Sequence, residues 1–220
     1  MRDTITLYVN PITVNNIKIQ LLVNAVNIPA QFEQVVLHKP NGKSPAFLQL
    51  NPTGKVPVLK DEDLILTESN AILKYLAHKH QSPLWPSDAT LQAQVLKWMF
   101  FQTGNWNKTV GIFSHRRVVL PHWGFDQQQV LSPQQLQDFH TLMEGLDNEL
   151  AGKNILVGGN ISIADICLGS YLMFAQESQM PLESFVNVRR WLTHLQQTLW
   201  WQETHLSLRH ILNSSESCPI

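Results

Sequence analysis

Apolar and polar side chains alternate through Thr4-Ile5-Thr6-Leu7-Tyr8-Val9. Their β-branched and aromatic character predicts a strand, which Asn10-Pro11 ends. From Asn15 the period changes. Ile17, Leu21, Leu22 and Ala25 recur every three or four residues, as on one face of a helix, and Asn27 and Pro29 stop the pattern. Residues 32–37 form a second β-prone run that closes in the turn formers His38-Lys39-Pro40-Asn41-Gly42. Strand, helix, strand is a βαβ unit, so these two strands are expected to be parallel. A short helix at 45–50, a loop at Asn51-Pro52-Thr53-Gly54-Lys55 and a hairpin of strands at 56–59 and 64–66 around Asp61-Glu62-Asp63 come next. A helix carrying Ala71, Ile72, Tyr75 and Leu76 completes a β-α-β-α-β-β-α domain over residues 1–80.

Residues 81–89, with Pro83 and Pro86, read as a linker. Strand patterns then vanish. Helical spacing at 91–102, 107–119, 132–151, 162–177 and 185–197 predicts an all-helical domain over 90–220. Gln127-Gln128-Gln129 reads as a loop or a helix start. Ser162-Ile163-Ala164-Asp165 before an apolar run has the form of a capping box, with the carboxylate turned back onto Ser162. That structural reading is preferred to a catalytic Ser-Asp pair.

At 220 residues the chain can hold two small domains, each with its own core. Its 44% hydrophobic and 15% charged composition is that of a folded globular protein. Lys plus Arg number 16 against 17 Asp plus Glu, so there is no electrostatic reason to expect a nucleic acid or an acidic membrane as partner. No apolar run is long enough to span a bilayer. The start MRDTITLYV lacks a basic region followed by an apolar segment, so no secretory signal is expected. Cys167 and Cys218 are too few for a disulfide framework, which fits a reducing compartment and a cytoplasmic location. The nine histidines are scattered, and no metal is expected. Cys167, within an apolar helix, reads as a buried small hydrophobe.

The chemistry is concentrated between Asn51 and Tyr75. Pro57 opens a strand without an N–H to give the ladder, and a cis Val56-Pro57 bond would aim the Val56 amide and carbonyl outward, where a peptide can pair with them. Glu68 and Ser69 open a helix, whose free amides and positive dipole end attract a carboxylate. Taken singly, these residues are an edge marker and a cap. Their joint spacing, Asn51-Pro52-Thr53-Gly54-Lys55-Val56-Pro57-Val58-Leu59 and then Leu66-Thr67-Glu68-Ser69-Asn70-Ala71-Ile72, resembles the glutathione site of glutathione transferases. The likeness covers most of the chain: an initial Leu-Tyr strand, a Trp-Pro linker and a Gly-Gly-Asn-x-Ser-x-Ala-Asp helix start. It is strongest to theta-like and related bacterial members.

The resemblance implies a thioredoxin-like first domain with a mixed sheet, glutathione as co-substrate, and a homodimer. Val56 and Pro57 would meet the cysteinyl part of glutathione, Ser69 the γ-glutamyl carboxylate, Glu68 its amine, and Lys55 the glycine end. Theta-like members commonly carry His where Gly42 stands here, and the following Lys43 would take the glycine carboxylate. A Ser after the first strand stabilises the thiolate in theta-like enzymes. Thr13 matches it, with Asn15 as the second donor that some bacterial members pair with a Thr. The plainer reading makes Thr13 a helix cap and Asn15 a polar surface residue. Tyr8, a rival hydroxyl, is expected in the fold. Trp106 and Phe113 are candidates to wall an apolar electrophile pocket. The implied activity is conjugation of glutathione to an apolar electrophile. Glutathione-dependent disulfide or peroxide reduction, and a non-catalytic scaffold on the same fold, are the alternatives.

Overall fold

The computed structural model describes residues 4–39, 41–125 and 130–214. Cys218 and the Gln127-Gln128-Gln129 tract lie outside them. Strand β1 (Ile5–Val9) sits inside a mixed four-stranded sheet of order β2-β1-β3-β4. It runs parallel to β2 (Ala30–Gln34) and antiparallel to β3 (Val58–Asp61), which in turn pairs antiparallel with β4 (Leu64–Leu66). The alternation of β1 places Ile5, Leu7 and Val9 on one face, where α1 (Val14–Val26) and α3 (Ser69–Lys79) cover them. On the other face Tyr8 packs against Phe47 of the short helix α2 (Pro45–Leu50), with Val35 and Val58. Tyr8 is thus a packing residue, as expected.

The second strand begins earlier than its apolar run suggests. It spans Ala30–Gln34 rather than 32–37, and four of its five residues are exposed. The register Ile5↔Ala30 is set by the end of α1, where Asn27 takes a left-handed conformation (φ 53°). There Ile28 N–H returns to Val23 O and Asn27 N–H to Asn24 O, a Schellman closure that delivers the chain straight into the ladder. Being an edge strand, β2 needs no apolar face, and Val35 leaves it to join the small cluster beneath α2.

No strand follows β4 among the described residues. Helix α4 (Ala89–Phe101), capped by Asp88, leads into a π turn (Gln102–Trp106). The short helices α5 (Asn107–Thr109) and α6 (Gly111–Ser114), a second π turn (His115–Val119) and α7 (Leu120–His122) follow. The single helix expected at 107–119 is therefore broken by a change of helical period. Helix α8 (Pro133–Glu149) opens on a Ser132–Gln135 capping box. Helix α9 (Ile163–Gly169) continues as a 3-10 turn (Ser170–Leu172), shorter than the expected 162–177, and α10 (Val186–Gln196) matches its expectation closely. Helix α11 (Leu199–Asn213) was not foreseen: its buried stripe is only Trp201, Thr204 and Leu208, too narrow and too polar to stand out.

The capping box of α9 is present, and more is built on it. Asp165 is fully buried and accepts from Leu156 N, Ser162 N, Ser162 Oγ and Trp191 Nε1. Helix α1 is gripped between α3 on one side and α9 and α11 on the other, so one continuous apolar core ties the sheet to the helices. No helix among the described residues is long and apolar enough to cross a membrane.

Candidate active site

A cleft of about 590 Å3 lies between the start of α1 and the helices after α4. The sheet side supplies Thr13 and Asn15 from the head of α1, Leu37 and Lys43 from the loop after β2, and Lys55 and Val56 from the loop before β3. The facing wall carries Asn107, Gly111, His115, Val119 and Trp123, with Lys108 and Ile112 beside them. Three lysines and no carboxylate line it, so the cleft favours an anion.

Local sequence explains how each group is held. Thr13 occupies the cap position of α1, but its hydroxyl donates to Asn10 O at 2.9 Å and leaves the first-turn amides uncapped. No acidic residue stands in that turn, so the positive end of the helix is free to meet a negative charge. Thr13 is thus the cap residue by position, as the plainer reading has it, without a side-chain cap bond. Asn51 pins the next loop: its Nδ2 donates to Lys55 O at 2.8 Å, and its Oδ1 accepts from Thr53 N and Thr53 Oγ1. Gly54 has φ +64°, and a Cβ there would stand 3.0 Å from Cδ and Nζ of Lys43. The glycine thereby lets Lys43 lie across the loop toward Lys55. The Val56-Pro57 bond is cis.

Glu68 has φ 65° and ψ 109°, outside the regions an L residue ordinarily occupies, at a typical cost of roughly 1–3 kcal/mol. Such outliers gather at binding sites. Ser69 begins α3, and its hydroxyl donates to Asn15 Oδ1 at 3.2 Å, joining the heads of α1 and α3. The structure thus brings Thr13, Asn15, Lys43, Lys55 and Val56 into one cleft and ties Ser69 to it. Pro57 is buried beneath, and Glu68 is exposed and outside the lining.

Trp106 and Phe113 do not wall a pocket. Both are fully buried: Trp106 donates from Nε1 to Leu168 O, and Phe113 packs on Phe139 at 4.5 Å between ring centroids. The cleft face repeats every fourth residue instead, at Asn107, Gly111, His115, Val119 and Trp123. A plain α-helix cannot keep a four-residue repeat on one face. The π turn His115–Val119, with its i→i+5 bonds, takes up the extra residue and holds it there. Reading this stretch at 3.6 residues per turn therefore selects the wrong face. His38 stacks on Trp123 and His115 meets its edge. Burial is the main cause holding the pKa values of His38, His115 and His122 below the usual histidine value.

One group of residues escaped the sequence reading. Behind Asn15 lies a buried polar cluster of Lys18, Asn70, Gln102, Cys167 and Tyr171. Cys167 is buried as expected, but its Sγ meets Asn70 Oδ1 at 3.2 Å and Gln102 Oε1 at 3.5 Å rather than apolar neighbours alone. The signal available was Lys18 itself, a charge between Ile17 and Ile19 on a face of α1 that is otherwise core. Among the described residues no group of three or more His, Cys, Asp or Glu is placed to hold a metal ion.

A thioredoxin-like sheet domain, an all-helical domain and a cationic cleft at the head of the first helix together define an enzyme of the glutathione-using kind. Residues 3–78 match the family model described as Glutathione S-transferase, N-terminal domain, and residues 112–197 match its C-terminal domain. Rat glutathione S-transferase theta-1 is 29% identical over 198 residues, 88% of this chain and 82% of its own length. Human glutathione S-transferase theta-2B is 34% identical over 149 residues, 66% of this chain and 61% of its own. The crystal structure of a glutathione S-transferase from Pseudomonas fluorescens superposes with a TM-score of 0.77 at 28% identity, covering 90% of this chain and 97% of that one. The chain belongs to the glutathione S-transferase family. Glutathione binding and transferase activity in general come with that family and fold.

Proposed function

We propose that the chain conjugates glutathione to an apolar electrophile, with the thiolate formed between Thr13 and Asn15. The observation that carries this reading is the meeting of Thr13, Asn15, Lys43, Lys55 and Val56 in one cleft, with Ser69 bonded to Asn15. Lys43 and Lys55 hold the glycine carboxylate. The backbone of Val56, turned at Pro57, pairs with the cysteinyl unit. The free amides at the head of α3, that of Ser69 included, take the γ-glutamyl carboxylate, and Glu68 its amine. Lowering a thiol pKa from roughly 8.5 toward neutrality needs donors that prefer the thiolate. Asn15 Nδ2 has no hydrogen-bond partner among the described residues and is ready to donate, whereas the Thr13 hydroxyl must first turn away from Asn10 O. The electrophile lies along Leu37, Ile112, Val119 and Trp123.

The working form is a cytoplasmic homodimer. Supporting this, α4 exposes Phe100 (74%) and Leu96 beside a second cavity of about 790 Å3 between α4 and α8. Light scattering on the purified chain tests it, and a monomer at micromolar concentration would contradict it. The activity is tested by following conjugation of glutathione to an apolar aryl halide in wild type, Thr13→Ala and Asn15→Ala. Loss of rate in both variants with glutathione still bound supports the assignment. Unchanged rates in both overturn it.

A further inference from the structure

The direction of the hydrogen bonds behind Asn15 is set from one buried end. Lys18 is fully buried, and among the described residues it forms no ion pair. Its Nζ donates to Asn70 Oδ1 at 2.9 Å and to Gln102 Oε1 at 3.0 Å, and Cys167 Sγ lies 4.0 Å away. Burial lowers the Lys18 pKa, but Nζ meets carboxamide oxygens on both sides and donates to them in either protonation state. Gln102 must therefore present its oxygen to Lys18, where Asn70 Nδ2 also meets it at 2.9 Å, and its N–H2 to the other side. There Nε2 donates to Tyr171 Oη at 2.7 Å. With its oxygen so engaged, the phenol directs its single proton outward, to Asn107 Oδ1 at 3.0 Å or Asn15 Oδ1 at 3.3 Å. Ser69 Oγ gives its proton to the same Asn15 oxygen.

The two ends of a carboxamide are almost equal in shape, and only their partners decide which way it faces. Here the phenol's one proton settles Asn107, the nearer acceptor at 3.0 Å, and the Ser69 hydroxyl settles Asn15. Their Nδ2 groups have no hydrogen-bond partner among the described residues, and both residues line the cleft from opposite walls. Tyr171 cannot swing aside, because its ring lies so close to α6 that a Cβ on Gly111 would stand 3.0 Å from Cε1. Replacing a buried charge with a well-packed apolar group is often neutral or stabilising, and one well-attested reason to keep such a charge is to impose a single arrangement on its neighbours.

We propose that Lys18, Gln102 and Tyr171 are positioning residues for thiolate formation, orienting the carboxamide of Asn107 so that it presents an N–H donor to the glutathione sulfur opposite Asn15. The proposal rests on the glutathione reading given above. It is tested on the purified full chain by the pKa of bound glutathione, read from thiolate absorbance, with affinity by calorimetry and folding by circular dichroism. Tyr171→Phe removes one oxygen from the chain. It raises the bound thiol pKa by roughly half a unit to one unit, a three- to tenfold loss of thiolate below the pKa, while the Kd for glutathione moves less than about twofold. In an Asn15→Ala/Asn107→Ala background the same change adds nothing. Lys18→Met moves the pKa in the same direction, and Gln102→Leu replaces it if that variant does not fold. A folded Tyr171→Phe with the wild-type thiol pKa, or its full shift persisting without the two asparagines, overturns the proposal. A folded Lys18→Met or Gln102→Leu with the wild-type pKa overturns the part assigned to Lys18. If wild type neither binds glutathione nor lowers its thiol pKa, the functional reading itself fails.

Discussion

Asp165 joins a loop, a helix start and α10 through one buried carboxylate, so its replacement has a calculable cost. Oδ1 accepts from Leu156 N and Trp191 Nε1, and Oδ2 from Ser162 N and Ser162 Oγ, all between 2.9 and 3.1 Å. Asp165→Ala orphans three buried N–H groups, each costing roughly 1–3 kcal/mol. The expected loss is about 4–6 kcal/mol, below the simple upper limit because the vacated space can admit a water molecule. Against a total stability of roughly 5–15 kcal/mol this removes a large part of it. Asp165→Asn keeps the shape and the Oδ1 bonds and turns only one N–H against another, so about 1–3 kcal/mol is expected. The assay is urea unfolding followed by far-ultraviolet circular dichroism, which does not depend on the altered surroundings of Trp191. Equal costs for the two variants, or a cost for alanine below about 1 kcal/mol, would refute the reasoning.

Other consequences reach the sheet and the cleft. Burial pushes the Asp61 carboxyl up, but the hydrogen bonds from Lys79 and Tyr75 and the ammonium charge outweigh it and hold the pKa below its ordinary value. A carboxylate depressed in the folded state contributes stability above its unfolded pKa, roughly 3.9, and loses that contribution as pH falls through the folded value. Asp61→Asn should then be less stable at neutral pH but lose less than wild type as pH falls below about 4, and parallel pH–stability curves would contradict this. Trp123→Ala should raise KM for an apolar electrophile with a small change in Tm, while Phe113→Ala should cost about 3–5 kcal/mol of stability; steady-state kinetics and thermal melts would show the reverse if Phe113 walled the pocket. Glutathione affinity should fall as salt rises, and Lys43→Met/Lys55→Met should flatten that dependence in calorimetric titrations.

Local signals made most of the fold legible. The alternation of β1, the Asn27-Pro29 stop, the hairpin around Asp61 and the Ser162–Asp165 cap all depend on near neighbours, and each is present in the structure. The displaced β2 and the missed α11 depend on partners distant in sequence, β1 for one and α1 for the other, which short-range periodicity cannot register. At the cleft, Lys55 and Val56 were legible through the joint spacing of Asn51 to Ser69, whereas Glu68 lies outside the lining. The facing wall of the cleft was not legible, because π turns shift the period of residues 107–123. Lys18 and Tyr171 lie 153 residues apart along the chain and meet through Gln102 and through the Lys18 Nζ over the Tyr171 ring, so no spacing could have joined them.

The central claim is that the head of α1 stabilises the glutathione thiolate. It is tested most directly by titrating the bound thiol in wild type, Thr13→Ala, Asn15→Ala and the double variant, following thiolate absorbance against pH. The account predicts a bound pKa clearly below the roughly 8.5 of a free thiol in wild type, rising in each single variant and furthest in the double one, where Asn107 is the donor left. A bound pKa left at the wild-type value by the double substitution would contradict it.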